Sequence, residues 1–69
     1  MVSVKKWSGS EPVKCDLCGE PFVLYFIDGR TSNGPWGLMC VECHAEHGVG
    51  LGLGRGQKYD LATMIKVDG

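Results

Sequence analysis

The stretch LMCVECHAEHG, residues 38–48, carries a Cys-x-x-Cys pair and then runs without a turn residue to Gly48. Its counterpart, KCDLCGEP at 14–21, is built differently, because Gly19 directly follows the second cysteine. Gly19 can take the left-handed backbone that a tight metal-binding knuckle needs. In the later stretch VECHAEH holds good or tolerable helix formers, and a glycine just past a helix end is a common cap. The spacing therefore predicts a short helix over 41–47, with Cys40 and Cys43 at its start, where the helix dipole favours thiolates.

Twenty-one residues separate Cys18 from Cys40, and two Cys-x-x-Cys pairs at such a separation are a strong zinc signature. Two intervening residues let one turn aim both sulfurs at one ion. The reading assigns one structural Zn²⁺ to Cys15, Cys18, Cys40 and Cys43, with no open coordination position. Three rivals stand beside it. CVECH at 40–44 matches the attachment motif of a c-type haem, which would leave Cys15 and Cys18 without a role. A redox pair would want a thioredoxin-like βαβ setting, which the sequence does not show. His44 or His47 could replace a cysteine, although four thiolates already suffice.

Between the pairs, FVLYFI at 22–27 is aromatic and β-branched enough for a strand. Asp28-Gly29 and Asn33-Gly34-Pro35 are turn signals, and WGLM at 36–39 returns as the partner strand. Knuckle, hairpin and helix describe a small α+β zinc-stapled domain of treble-clef type. A zinc ribbon, the alternative, would want a second glycine-backed knuckle. VSVKKW at 2–7 alternates like an edge strand, and YDLATMIKV at 59–67 reads as a short helix or a strand pair.

The strand at 22–27 has no polar side, so both its faces need cover. GVGLGLGRGQKY at 48–59 places glycine at every second position from Gly48 to Gly56. As an extended arm it would put Val49, Leu51 and Leu53 on one face, available to cover the hairpin, and the glycines would permit close backbone approach. A phosphate-binding loop is a poorer match, since neither GxxxxGK[ST] nor GxGxxG is present. A binding surface for a partner is the third reading of the arm.

The Cys-x-x-Cys, FIDG at 26–29, GPWGLMC at 34–40, CH at 43–44 and the glycine phrase at 48–59 together resemble a group of small zinc-finger-like proteins of tailed bacteriophages. The resemblance spans about 15–59 and leaves both ends uncovered. It implies zinc binding and a phage setting, and brings no biochemical activity with it.

Sixty-nine residues amount to one domain, 1–69, and a chain this short buries only about 60% of the surface its unfolded form exposes. A staple is therefore expected. The N-terminus shows no secretory signal, and the longest apolar run, 22–27, is far below the roughly 20 residues of a membrane helix. The expected setting is the cytoplasm, of the host cell if phage-encoded, where thiols stay reduced. Net charge is −1, with seven Lys/Arg against eight Asp/Glu, which argues against a charge-driven grip on nucleic acid.

Two functional classes follow. The first is a protein-interaction module contacting a host or phage protein, with Trp7, Trp36, Tyr25 and Tyr59 as anchor types; of these, Tyr25 and Trp36 are assigned to the core. The alternative is a nucleic-acid-binding zinc finger using Arg55, Lys58 and Tyr59, two cations beside a stacking ring. An enzyme is the weakest class: no nucleophile set, paired acid or open metal position can be read, and no small-molecule substrate or membrane partner is expected.

Overall fold

The computed structural model describes residues 6, 7 and 9–69. The elements run β1 (Tyr25–Arg30), β2 (Trp36–Met39), α1 (Val41–His47), β3 (Gly56–Asp60) and β4 (Lys66–Asp68). One antiparallel sheet has the order β2-β1-β3-β4, so β1 lies between its own hairpin partner and β3. The described residues form a small α+β arrangement with one short helix.

The helix falls where the sequence placed it, and β2 matches WGLM. β1, however, begins three residues later than FVLYFI predicts and runs through Asp28-Gly29, which is not a turn. The reason lies across the sheet. Gly29 pairs with Gly56, and a Cβ placed on Gly29 would lie 3.3 Å from the Gly56 Cα and 3.2 Å from both the Arg55 carbonyl oxygen and the Met39 Cε. Gly29 therefore serves close backbone approach, a usual role for glycine inside a strand. The hairpin turns instead at 31–35. There the Thr31 N–H and Oγ1 both donate to the Pro35 carbonyl at 2.9 Å, and Ser32 N–H donates to the His47 carbonyl at 2.7 Å. The second contact ties the turn to the end of the helix.

An aromatic core lies on one face of the sheet, and Ile27, 2% exposed, is buried on the other. Phe26 and Tyr59 are cross-strand neighbours whose rings stack at 5.2 Å and 7°. Trp7 meets both edge-on, at 5.3 and 5.5 Å, and Phe22 leans on Phe26 at 5.8 Å. Each such pair adds about 0.5–1.5 kcal/mol beyond the area it buries. Cys15 and Met39 complete the buried cluster. Burial, followed by the charge of Asp28, raises the Tyr59 phenol above its usual range.

Trp36 is 52% exposed, so its assignment to the core is corrected, and Trp7 and Tyr59 take that place. Arg30 sits opposite Trp36 at the outer end of the hairpin, too far along β2 for the indole to reach the Phe26 cluster. Tyr25 is half-buried, with the Lys58 ammonium 4.2 Å from its ring centre.

Residues 2–5 of the expected edge strand lie outside the described residues; Lys6 forms a single antiparallel bridge with Ile65. The tail resolves as a strand pair. The Asp60 carboxylate accepts the N–H groups of Ala62 and Thr63 at 2.9 and 3.1 Å, and Met64, at φ 62°, completes the turn between β3 and β4. These are the bonds a helix N-cap accepts, and Met64 N–H also donates to the Asp60 carbonyl at 2.7 Å, but the left-handed backbone at Met64 stops the helix after that one turn.

The glycine arm is ordered but not extended. Gly50, Gly52 and Gly54 have φ of 92°, 128° and 77°, and Gly52 pairs back onto Gly56 through hydrogen bonds of 2.8 and 3.0 Å. Val49 and Leu51 are half-buried, whereas Leu53 is 95% exposed at the loop tip. The expected common apolar face is thus lost at Leu53, because the backbone reverses before reaching it. Leu53→Ala is accordingly expected to change stability by no more than about 0.5 kcal/mol. Gly52→Ala should cost about 1–3 kcal/mol, since an L-residue is strained at φ 128°. Urea unfolding of the two variants measures the contrast.

Candidate metal centre

Cys15, Cys18, Cys40 and Cys43 come together with all four sulfurs within 4.8 Å of one another. Each pair arrives by its own local device. In the first, the chain closes on itself through Cys15 N–H to the Glu20 carbonyl at 2.9 Å and Gly19 N–H to the Cys15 carbonyl at 3.0 Å. Gly19 takes φ 76°, as a knuckle requires. Leu17 N–H points at the Cys15 sulfur, 3.4 Å away.

In the second pair the ligand is itself the helix cap. Cys40 is the N-cap of α1, and its sulfur accepts the Cys43 N–H at 3.4 Å, the place a serine or aspartate oxygen usually fills. At the other end Gly48 is the C-cap, its N–H bonding the His44 carbonyl at φ −80°. Space is what demands glycine there, since a Cβ would fall 2.7 Å from the His44 carbonyl oxygen.

The two pairs are locked together away from the sulfurs as well. Asp16 N–H donates to the Leu38 carbonyl at 2.8 Å, and Leu38 N–H donates to the Asp16 carboxylate at 2.8 Å. This two-way contact holds the knuckle on the strand that delivers Cys40. Sequence reading missed it, and its one visible signal was an aspartate inside the knuckle.

The geometry fits a tetrahedral ion. With metal–sulfur bonds of about 2.3 Å, the edge of a tetrathiolate tetrahedron is about 3.8 Å. The Cys18 and Cys40 sulfurs stand 3.8 Å apart, which is also far from a disulfide bond. Electrostatics agree. Burial raises the Cys15 thiol, but N–H groups of Cys18, Cys40 and Leu17 outweigh it and hold it at about 6. Cys18 is raised: the Glu20 N–H favours its thiolate, yet burial and the neighbouring sulfurs of Cys15 and Cys40 prevail. Cys43 is pushed up strongly by burial and by its three sulfur neighbours. One thiolate is welcome in this cluster and further ones repel it. A bound dication would supply the missing compensation.

Neither histidine joins the cluster. His44 Nε2 lies 3.0 Å from the Gly50 carbonyl, which can only accept, so that nitrogen carries the proton. His47 is exposed beside Glu46 at 3.7 Å. The haem reading leaves the convergence of the first pair on the second unexplained.

The residues expected at a nucleic-acid contact do not form one surface. Tyr59 is 2% exposed within the aromatic core and cannot stack on a base, which corrects its assignment as a contact. Lys58 neighbours Tyr59 on β3, so the two side chains point to opposite faces. Arg55 folds back over the glycine loop, its Nη2 2.7 Å from where a Cβ on Gly52 would stand.

Asp16→Ala is expected to lower stability by about 1 kcal/mol, through loss of a hydrogen bond to a charged acceptor, and to leave metal stoichiometry unchanged. Asp16→Asn, which retains an acceptor oxygen, should recover part of the loss. Thermal unfolding of the metal-loaded variants, with metal counted by native mass spectrometry, checks both.

Compared with known proteins, the chain matches no family model, no curated protein and no solved structure.

Proposed function

We propose that this chain is a zinc-stapled, treble-clef-like interaction module of the phage-encoded kind that its sequence phrases resemble. Its partner is a host or phage protein met in the cytoplasm of the host cell. The observation that carries the reading is the meeting of four cysteine sulfurs, two from a glycine-backed knuckle and two from the start of a helix, on either side of a hairpin. That order of elements supports a treble clef over a ribbon, because the second pair caps a helix instead of forming a second knuckle.

Zinc suits an all-thiolate tetrahedral site better than the oxygen-seeking cations do. Four sulfurs fill its coordination and leave no position for a substrate, so the role assigned to the ion is structural and not catalytic. Energetics favour the same view. A domain of this size holds about 3–10 kcal/mol of stability, whereas structural zinc contributes about 10–16 kcal/mol in small fingers. The ion would then decide whether the chain folds.

A protein partner is favoured over nucleic acid by the apolar surface left in solvent. Trp36, Val23 and Leu24 are 52%, 79% and 68% exposed, while the ring proposed for base stacking is buried.

Native mass spectrometry is expected to find one zinc per folded chain, and excess chelator should unfold it. Acidification should release the ion, because protons compete for the thiolates. Cobalt should substitute with the visible spectrum of a tetrahedral thiolate site, and Cys43→Ser should weaken that spectrum. A metal-free chain that stays folded would overturn the assignment. In affinity capture from phage-infected cells, partners are expected to survive nuclease treatment; capture that vanishes with nuclease would restore the nucleic-acid reading.

A further inference from the structure

FVLYFI, read as needing cover on both faces, leaves part of itself bare. Val23 and Leu24 precede β1 and are 79% and 68% exposed, and Val41, at the start of α1, is 46% exposed. These three side chains and Tyr25 line one open groove between the knuckle and the helix. Cysteines aside, the titratable side chains lining it among the described residues are the acidic Glu20, Glu42 and Glu46 and the Tyr25 phenol, with no described lysine or arginine. Among the described residues Glu20 and Glu42 have no ion-pair partner, and Glu46 has only His47 at 3.7 Å. Lys58 is engaged with the Tyr25 ring at 4.2 Å and is not part of the lining.

Exposed apolar side chains beside carboxylates of one sign, together with the cysteines Cys18, Cys40 and Cys43, specify the occupant. We propose that this groove docks a cationic amphipathic segment of the partner protein, with its apolar side chains on Val23, Leu24 and Val41 and its lysines or arginines against the three glutamates. Apolar contact supplies affinity, and the carboxylates supply orientation and rate of encounter. A second copy of the chain presenting the same groove is disfavoured, because a two-fold contact would set glutamate against glutamate. The inference rests on the reading of the chain as an interaction module and names the chemistry of its partner.

The test uses the zinc-loaded full chain and a short labelled peptide alternating leucine and lysine, followed by fluorescence anisotropy. Two control peptides alternate serine with lysine and leucine with glutamate. Tight binding is expected for the leucine–lysine peptide alone, and it should weaken as salt is added. The double variant Val23→Ser/Leu24→Ser, and separately Glu42→Gln/Glu46→Gln, should each weaken it by about tenfold or more. Leu53→Ser, at an exposed site elsewhere, should not. Zinc content and thermal unfolding verify that the variants are folded. Equal binding of the serine–lysine peptide, or unchanged binding by both double variants, would overturn the proposal. So would concentration-dependent dimerisation that Val23→Ser/Leu24→Ser abolishes, since the groove would then be covered by a second copy. The capture experiment separates this failure from failure of the module reading. Partners retained by Val23→Ser/Leu24→Ser would leave the module in place and remove the groove, whereas a wild-type chain that captures no protein would remove the module itself.

Discussion

The meeting of four sulfurs is the constraint from which the rest of the chain is arranged. Cys15 and Cys18 lie on a knuckle, and Cys40 and Cys43 lie on the first turn of a helix, with the whole β1–β2 hairpin between them. Bringing them together fixes where the hairpin must end. Met39 is the last residue of β2 and Cys40 the next, so no slack separates sheet from ligand. Asp16 then bonds Leu38 in both directions, one residue further back. A slip of one residue in the β1–β2 register would turn Met39 to the other face and break the Asp16 contact together.

That arrangement leaves little interior to distribute. The buried cluster holds Cys15, Phe22, Phe26, Met39 and Tyr59, with Trp7 packed against it. Large rings fill such a volume with few residues, and three of them meet within 5.5 Å of one another. Val23 and Leu24 are smaller and lie before the sheet begins, so they find no place in it. The apolar residues left over from the core stay in solvent, and the proposed interaction module would use surface of this kind.

Local chemistry made much of this legible. The knuckle needed Gly19, and VECHAEH before a glycine marked α1 over its full length. β2 was bounded by Pro35 on one side and a cysteine on the other. What escaped the sequence were non-local facts. Nothing in Asp28-Gly29 reveals that Gly29 faces Gly56 across a strand pair, so a turn signal stands where the structure has a close approach. Trp36 looks like core by type and lies at the hairpin's outer end by register. Tyr59 looks like a stacking ring beside two cations, and becomes core only once its pairing with Phe26 is known. At the candidate metal centre all four clustered cysteines could be read from spacing. The Asp16 contact could not, because its partner is a backbone N–H.

The glycine arm shows most clearly how a correct pattern can carry the wrong geometry. Alternation with period two is the mark of a pleated strand, in which successive side chains take opposite faces. From residue 49 to 54, however, what alternates is the sign of φ. Gly50, Gly52 and Gly54 are positive, and Val49, Leu51 and Leu53 are not. Those positive-φ glycines accompany a chain that turns back so that Gly52 bonds Gly56. Five glycines are therefore not spent on flattening an arm. Three let the backbone reverse within a few residues, and Gly48 and Gly56 clear space, one beside His44 and the other beneath Gly50 and Gly29. The reversal delivers β3 to β1 in the register that stacks Tyr59 on Phe26, so the repeat that looked like a covering arm is the hinge on which the aromatic core closes.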